Sequence, residues 1–192
     1  MKKNVYPLEP DCFYHIYNRG INGGKLFFED KNYHYFLKLL KEKLSCISNI
    51  YSYCLLTNHF HLLVQIKSET EIRNVFSEKS ETEISKIISQ QFSNMFNSYT
   101  QAINKRFERT GKLFELPFRR KWITSEKQLI NTILYIHNNP RKHHISENIF
   151  EYPYSSLMKI VNCKDDLLDY KEVLDIFDDE ENLKSTHLNY II

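Results

Sequence analysis

Two histidines one residue apart, His59-Phe60-His61, open a run of strand-forming residues that continues to Ile66. On a strand, side chains at i and i+2 leave the same face, so both imidazoles point one way and Phe60 the other. Backbone geometry thus supplies two ligands of a metal site. A divalent cation held there polarises a phosphodiester and stabilises the charge that develops as it is cleaved. The same residues also read as a hydrogen-bonded pair at the margin of a core. A second constellation, Tyr135 and Asn139, is spaced i and i+4, which stacks a phenol and an amide oxygen on one helix face. A phenol titrates near pH ~10 and becomes a nucleophile where a nearby cation or metal-bound phosphate favours attack. The alternatives are a core aromatic for Tyr135 and a helix stop for Asn139-Pro140.

These candidates sit in a chain with segregated charge. Residues 1–160 carry 23 basic and 15 acidic side chains, net +8, whereas residues 161–192 carry 3 and 9, net −6. Positions 101–142 alone hold 10 Lys/Arg against 3 Glu, interleaved with Phe107, Phe114, Phe118 and Trp122. Cations that neutralise phosphates and aromatic faces that stack on unpaired bases suit a nucleic-acid surface; a solvated charged face over a core is the plainer reading. With only 4 Gly in 192 residues there is no Gly-rich phosphate loop, and the four cysteines, at 12, 46, 54 and 163, have neither zinc-ribbon nor disulfide-framework spacing. No apolar run is long enough for a membrane span or signal peptide, so the expectation is a cytoplasmic protein with reduced thiols that is not bound to a membrane.

The elements that must position the candidates follow from periodicity. Residues 12–18 read as a strand, followed by a loop at Arg19-Gly20 and Asn22-Gly23-Gly24; residues 30–44 read as a helix with Asp30 as its cap. The runs 50–56 and 59–66, separated by Thr57-Asn58, predict a β-hairpin. Residues 69–82 form a linker or short helix. Apolar positions from Ile84 to Phe107 step by three or four, which predicts a long amphipathic helix stopped by Gly111. Residues 118–123 are a fourth strand, and Thr124 or Ser125 caps a helix that ends before Asn139-Pro140. The order βαββαβ is that of an α+β, ferredoxin-like fold: a four-stranded antiparallel sheet with its two helices on one face, here followed by a further helix. Residues 1–160 read as the catalytic-type domain and residues 161–192 as an acidic extension with one helix near 165–183 and a short apolar tail.

With these elements in order, the chain resembles the single-tyrosine HUH transposases, the class containing the insertion-sequence transposases and the REP-associated tyrosine transposases. Tyr14-His15-Ile16-Tyr17-Asn18-Arg19-Gly20 is similar to the family's opening strand, and Tyr53 to Val64 resembles the segment with the HUH motif. Tyr99-Thr100-Gln101, Asn104 to Phe107 and Gly111-Lys112-Leu113-Phe114 are similar to its basic stretch. Tyr135-Ile136-His137-Asn138-Asn139-Pro140 resembles the segment that holds its nucleophile. The chain departs where many relatives read Gln-Gly-Arg-Phe: here Glu115-Leu116-Pro117-Phe118-Arg119 follows.

The resemblance implies a transposase that cleaves and rejoins single-stranded DNA, with Tyr135 attacking a phosphate to leave a 5′-phosphotyrosine. It also implies Mg²⁺ or Mn²⁺ on His59 and His61, with Asn139 a candidate third ligand; imidazole donors suit Mn²⁺ better than Mg²⁺. The implied partner is single-stranded DNA containing a hairpin. A homodimer is one arrangement open to the chain, because family members place the tyrosine helix either against their own histidines or against a partner's. Candidate phosphate contacts are Arg19, Lys105, Arg106, Arg109 and Lys112, and further on Arg119, Arg120, Lys121, Arg141 and Lys142, with Trp122 or Phe114 for stacking. Tyr99 is the rival nucleophile, although packing on the apolar stripe suits it better. His137 is expected at the surface or on DNA, and His15 in packing or behind the site. A non-cleaving, domesticated DNA-binding protein and a relaxase or replication-initiator nuclease are the competing readings. The acidic tail reads as a solvated helix or, alternatively, as a cover over the basic surface.

Overall fold

A computed structural model describes residues 6–79, 82–163 and 165–190. Four strands, β1 (Phe13–Arg19), β2 (Ser48–Leu56), β3 (His59–Ile66) and β4 (Arg119–Ile123), form one antiparallel sheet in the order β2-β3-β1-β4. Helices α1 (Asp30–Leu44), α2 (Glu69–Val75) and α3 (Ile84–Arg106) precede β4; α4 (Glu126–Lys142), α5 (Leu157–Val161), α6 (Tyr170–Ile176) and α7 (Glu180–Asn189) follow it. The βαββαβ order and the four-stranded antiparallel sheet are those expected.

Alternation along β3 divides the molecule into layers. Phe60, fully buried, meets Phe36 of α1 and Phe96 of α3. Burying a phenylalanine in this way contributes about 2–3 kcal/mol. One residue on, the His61 ring faces Tyr135 of α4 on the opposite side of the sheet. The sheet is therefore sandwiched between an α1/α3 layer and α4, and the histidines lie beneath α4.

Several local boundaries differ from expectation. Glu29, not Asp30, caps α1, because Asn32 answers it in a capping box. The helix α3 ends at Arg106, with Glu108 at φ 49°, so the chain has turned before Gly111 is reached. At the start of α4, Ser125 Oγ accepts from the Gln128 N–H, as a cap should. At its end the helix does not stop before Pro140 but runs through it to Lys142. Pro140 has no N–H for the Ile136 carbonyl, and Asn139 compensates: its Nδ2 donates to the Tyr135 carbonyl at 2.8 Å and to that of Ile136 at 3.4 Å.

The acidic extension is two helices rather than one, broken where Asp178 takes φ 68° and Asp179 caps α7. Val173, Phe177 and Leu183 are buried in the same core as the sheet, and residues 154–155 and 168–169 cover the outer edge of β2 through Leu55 N–H to Tyr154 O and Asp169 N–H to Ile50 O. The final apolar pair, 191–192, lies outside the described residues. Among the described residues the four cysteines are free thiols, and no helix is long and apolar enough to cross a membrane.

Candidate active site

The register of β1 on β3 pairs Tyr17 with His61 and His15 with Leu63, so His15, Tyr17, His59 and His61 share the face under α4. The Tyr135 ring stands edge-on to His61 at 5.4 Å and to His15 at 5.8 Å between centroids, and the His59 and His61 rings are 5.3 Å apart. Paired imidazoles and phenol thus meet within a single chain. No group among the described residues hydrogen-bonds the Tyr135 hydroxyl, and Lys142 Nζ lies 4.6 Å from the ring centroid.

The hydrogen bonds fix which nitrogens remain open. His59 Nδ1 is 2.7 Å from Asn58 Oδ1, an atom that only accepts, so Nδ1 carries the proton and Nε2 keeps its lone pair. His61 Nδ1 is 2.8 Å from His15 Nε2; when His61 donates there, its own Nε2 is likewise left open. Burial, followed by the charges of His143 and Arg19, lowers His59 to about 4, and burial lowers His61 well below its ordinary value. His15 is lowered to about 4 by burial and then by Lys121. All three rings are neutral at pH 7, the state in which imidazole ligates a metal.

Asn139 lies one turn beyond Tyr135 and is fully buried; its Oδ1 has no hydrogen-bond partner. One turn further, the His143 ring comes within 4.6 Å of His59. Among the described residues no three His, Cys, Asp or Glu side chains form a metal-binding group. The residues present nevertheless fit a cation supported in part by an amide: two open imidazole nitrogens, and an orphaned acceptor on the row of the facing helix that carries Tyr135 and His143.

A cleft of about 380 Å³ opens beside the phenol, lined by Arg19, Arg119, Lys142 and His143 together with the histidine pair. A second, of about 420 Å³, lies on the other side of Tyr135 and includes Lys121. Glu115, the residue at which the chain departs from the resemblance, bonds Arg19 Nε at 2.5 Å and Arg119 at 3.4 Å. Gly20 follows Arg19 at this rim, where a Cβ would sit 1.9 Å from the Gly24 carbonyl oxygen, so only glycine fits the approach of the two backbones.

Other candidates fall away from this face. Arg120 projects to the α3 side, 4.4 Å over the Phe118 ring and against Ser89. Arg106 pairs with Glu29, Arg109 with Asn104, and Arg141 with the Glu147 carbonyl. Lys105 and Lys112 are exposed, but neither lines a cleft at the phenol. Phe114 is buried and cannot stack on a base, whereas Trp122 is 52% exposed. Tyr99 is buried on the opposite side of the sheet, donating to the Leu26 carbonyl at 2.9 Å, which removes it as the nucleophile.

His137 is not at the surface: it is fully buried, 2.8 Å from His187 Nε2 and 2.7 Å from Ser156 Oγ. Helix α4 is covered by α7 on that side, a packing that local sequence does not announce. Sequence reasoning passed over Tyr17 and His143, which only the opposing register of β1 and β3 and the continuation of α4 through Pro140 bring in, and Asn58, whose one signal was its place next to His59.

No protein-family model matches the chain. A putative REP-associated tyrosine transposase of Haemophilus influenzae is 26% identical over 113 residues, 58% of this chain. The match spans 60% of that relative's length. The solved structure of a REP-associated tyrosine transposase bound to a REP hairpin superposes with a TM-score of 0.61 at 15% identity, covering 84% of this chain and 86% of the other. The first comparison is a likeness in sequence over part of each chain and the second a likeness in fold, and both are to REP-associated tyrosine transposases.

Proposed function

We propose that the protein is a DNA strand transferase acting on hairpin-bearing single-stranded DNA, with Tyr135 as its nucleophile. The observation that carries this reading is the edge-on approach of Tyr135 to His61 and His15 inside one chain, with Lys142 over the same ring. The phenol oxygen attacks the phosphorus, the bond to the 3′ oxygen breaks, and that oxygen leaves as a 3′-hydroxyl, the phenolic proton being released. A phosphotyrosine remains on the 5′ side. Attack by a 3′-hydroxyl reverses the step and frees the tyrosine; because the ester conserves the bond, no nucleotide cofactor is consumed.

His59 Nε2 and His61 Nε2 would hold Mg²⁺ or Mn²⁺, with Asn139 Oδ1 the third protein donor; a bound cation neutralises charge on the phosphate. Arg19, Arg119 and Lys142 bring positive charge to the same cleft and position the backbone of the strand. The relative solved with a REP hairpin supports a hairpin as the partner. The test is incubation with a labelled hairpin oligonucleotide and Mn²⁺, scoring a covalent adduct resistant to denaturation. Adduct formation lost in Tyr135→Phe is expected. Binding without any adduct would instead identify a non-cleaving DNA-binding protein.

A further inference from the structure

Tyr135 separates two clefts of unlike chemistry. The first gathers Arg19, Arg119, Lys142 and the imidazoles of His59 and His143, a set suited to phosphate. The second shares Tyr17, His61 and Tyr135 with it but holds Lys121 as its one Lys or Arg among the described residues, and is otherwise walled by His15 and by Gln128, Asn131 and Thr132 of α4. Positions 128, 131, 132 and 135 lie on one helical face, so the nucleophile and this uncharged polar wall belong to the same surface.

The three polar side chains are not equivalent. Gln128 Oε1 accepts from the Thr124 N–H, and the Thr132 hydroxyl donates to the Gln128 carbonyl. Asn131 is exposed and has no partner among the described residues, so its amide offers a donor and an acceptor side by side. Cations seize phosphates and carry no sequence information, whereas carboxamides pair with base edges, adenine above all; aromatic rings such as Tyr17 stack on bases that are unpaired. The volume of about 420 Å³ lies in the range of small-ligand pockets, enough for one nucleobase and not a duplex.

We infer that the second cleft receives the unpaired base next to the scissile phosphate, and that Asn131 selects adenine there. This rests on the reading of Tyr135 as the nucleophile. The backbone then runs from the cationic cleft past the phenol, with Lys121 meeting a phosphate on the far side.

The test uses the full chain and fluorescein-labelled hairpin oligonucleotides whose single-stranded flank is varied one position at a time through all four bases, read by anisotropy. Wild type is expected to prefer adenine at one flank position by roughly tenfold or more. Asn131→Ala should level that position and leave the others unchanged. Asn131→Asp, which can only accept, should turn the preference towards cytosine, whose amino group donates. Both changes are at an exposed position, and unchanged melting temperatures check that the fold persists. The inference is overturned if wild type shows no single-position preference, or if an adenine preference survives Asn131→Ala. A preference that follows Asn131 without any covalent adduct would overturn the catalytic reading and leave the base site standing; an adduct formed with no preference would do the reverse.

Discussion

Acid should loosen the packing of the tyrosine helix through its buried histidines, and replacing His187 with leucine tests how. His187 Nδ1 sits 2.7 Å from the Leu183 carbonyl oxygen, so it donates; His187 Nε2 therefore accepts from His137 Nδ1, and His137 Nε2 accepts from the Ser156 hydroxyl. The chain of bonds is satisfied with both rings neutral. Burial lowers His187 to about 4 and His137 well below its ordinary value, and no carboxylate acts on either ring. A folded value below the unfolded one, about 6.5, means that the unfolded chain binds the extra proton, so stability is complete above pH ~6.5 and falls as pH drops towards ~4. At pH 5 His187 alone accounts for a loss of about 2 kcal/mol, with His137 adding in the same direction. In His187→Leu the His137 N–H is orphaned, costing about 1–3 kcal/mol at pH 7.5. That variant no longer has the 187 titration, so its deficit against wild type should shrink by about 2 kcal/mol at pH 5. Urea denaturation at both pH values measures the gap. A deficit that is the same at both would refute the assignment of neutral, proton-excluding rings to this junction.

Three further outcomes follow from the site. Tyr135→Phe should abolish the covalent adduct with its fold intact, since the hydroxyl has no bond to lose among the described residues, whereas Tyr99→Phe should keep the adduct and cost about 1 kcal/mol in denaturation by orphaning the Leu26 carbonyl. His15→Ala should weaken Mn²⁺ binding about 10–100-fold by releasing His61 Nδ1, and His15→Gln, which restores an acceptor, should recover part of it; equal affinity in titration calorimetry would contradict the orienting role. Gly20→Ala should lower the melting temperature markedly, because its Cβ meets backbone 1.9 Å away; an unchanged melt would show that the rim yields.

What the sequence disclosed depended on range. Period-two and period-three-to-four patterns marked the sheet and both helices of the α1/α3 layer, because those faces are buried continuously, as Phe60 and Tyr99 illustrate. The His59-x-His61 spacing was legible for the same reason. The partners of those histidines were not: His15 reaches His61 across a strand pair 46 residues apart in sequence, and no local pattern encodes that bond. Helix α7 buries little besides Leu183 and His187, so its stripe is too thin to separate it from the acidic run before it. The burial of His137 was invisible while α7 had no place to dock.

The Asn139-Pro140 pair shows how a local rule is overruled and what depends on it. Proline disfavours helix in the residue before it and removes a donor, and on those grounds α4 should end near Asn138. The side chain of Asn139 supplies a substitute donor to the Tyr135 and Ile136 carbonyls, and the helix continues to Lys142. That continuation sets Lys142 over the Tyr135 ring and His143 beside His59; a chain turning away at 139 would deprive the cationic cleft of both. Because its Nδ2 is occupied in this way, only Oδ1 of Asn139 is left, buried and unpaired, on the row shared by the phenol and His143. One amide thus serves as a splint for the helix and leaves one unpaired acceptor on the row of the phenol. Asn139→Asp should separate the two roles. A carboxylate cannot donate to the two carbonyls, so the helix loses about 1–3 kcal/mol in denaturation, while an anionic oxygen in place of the proposed third donor should tighten Mn²⁺ binding. Loss of stability with no gain in Mn²⁺ affinity would confine Asn139 to the splint.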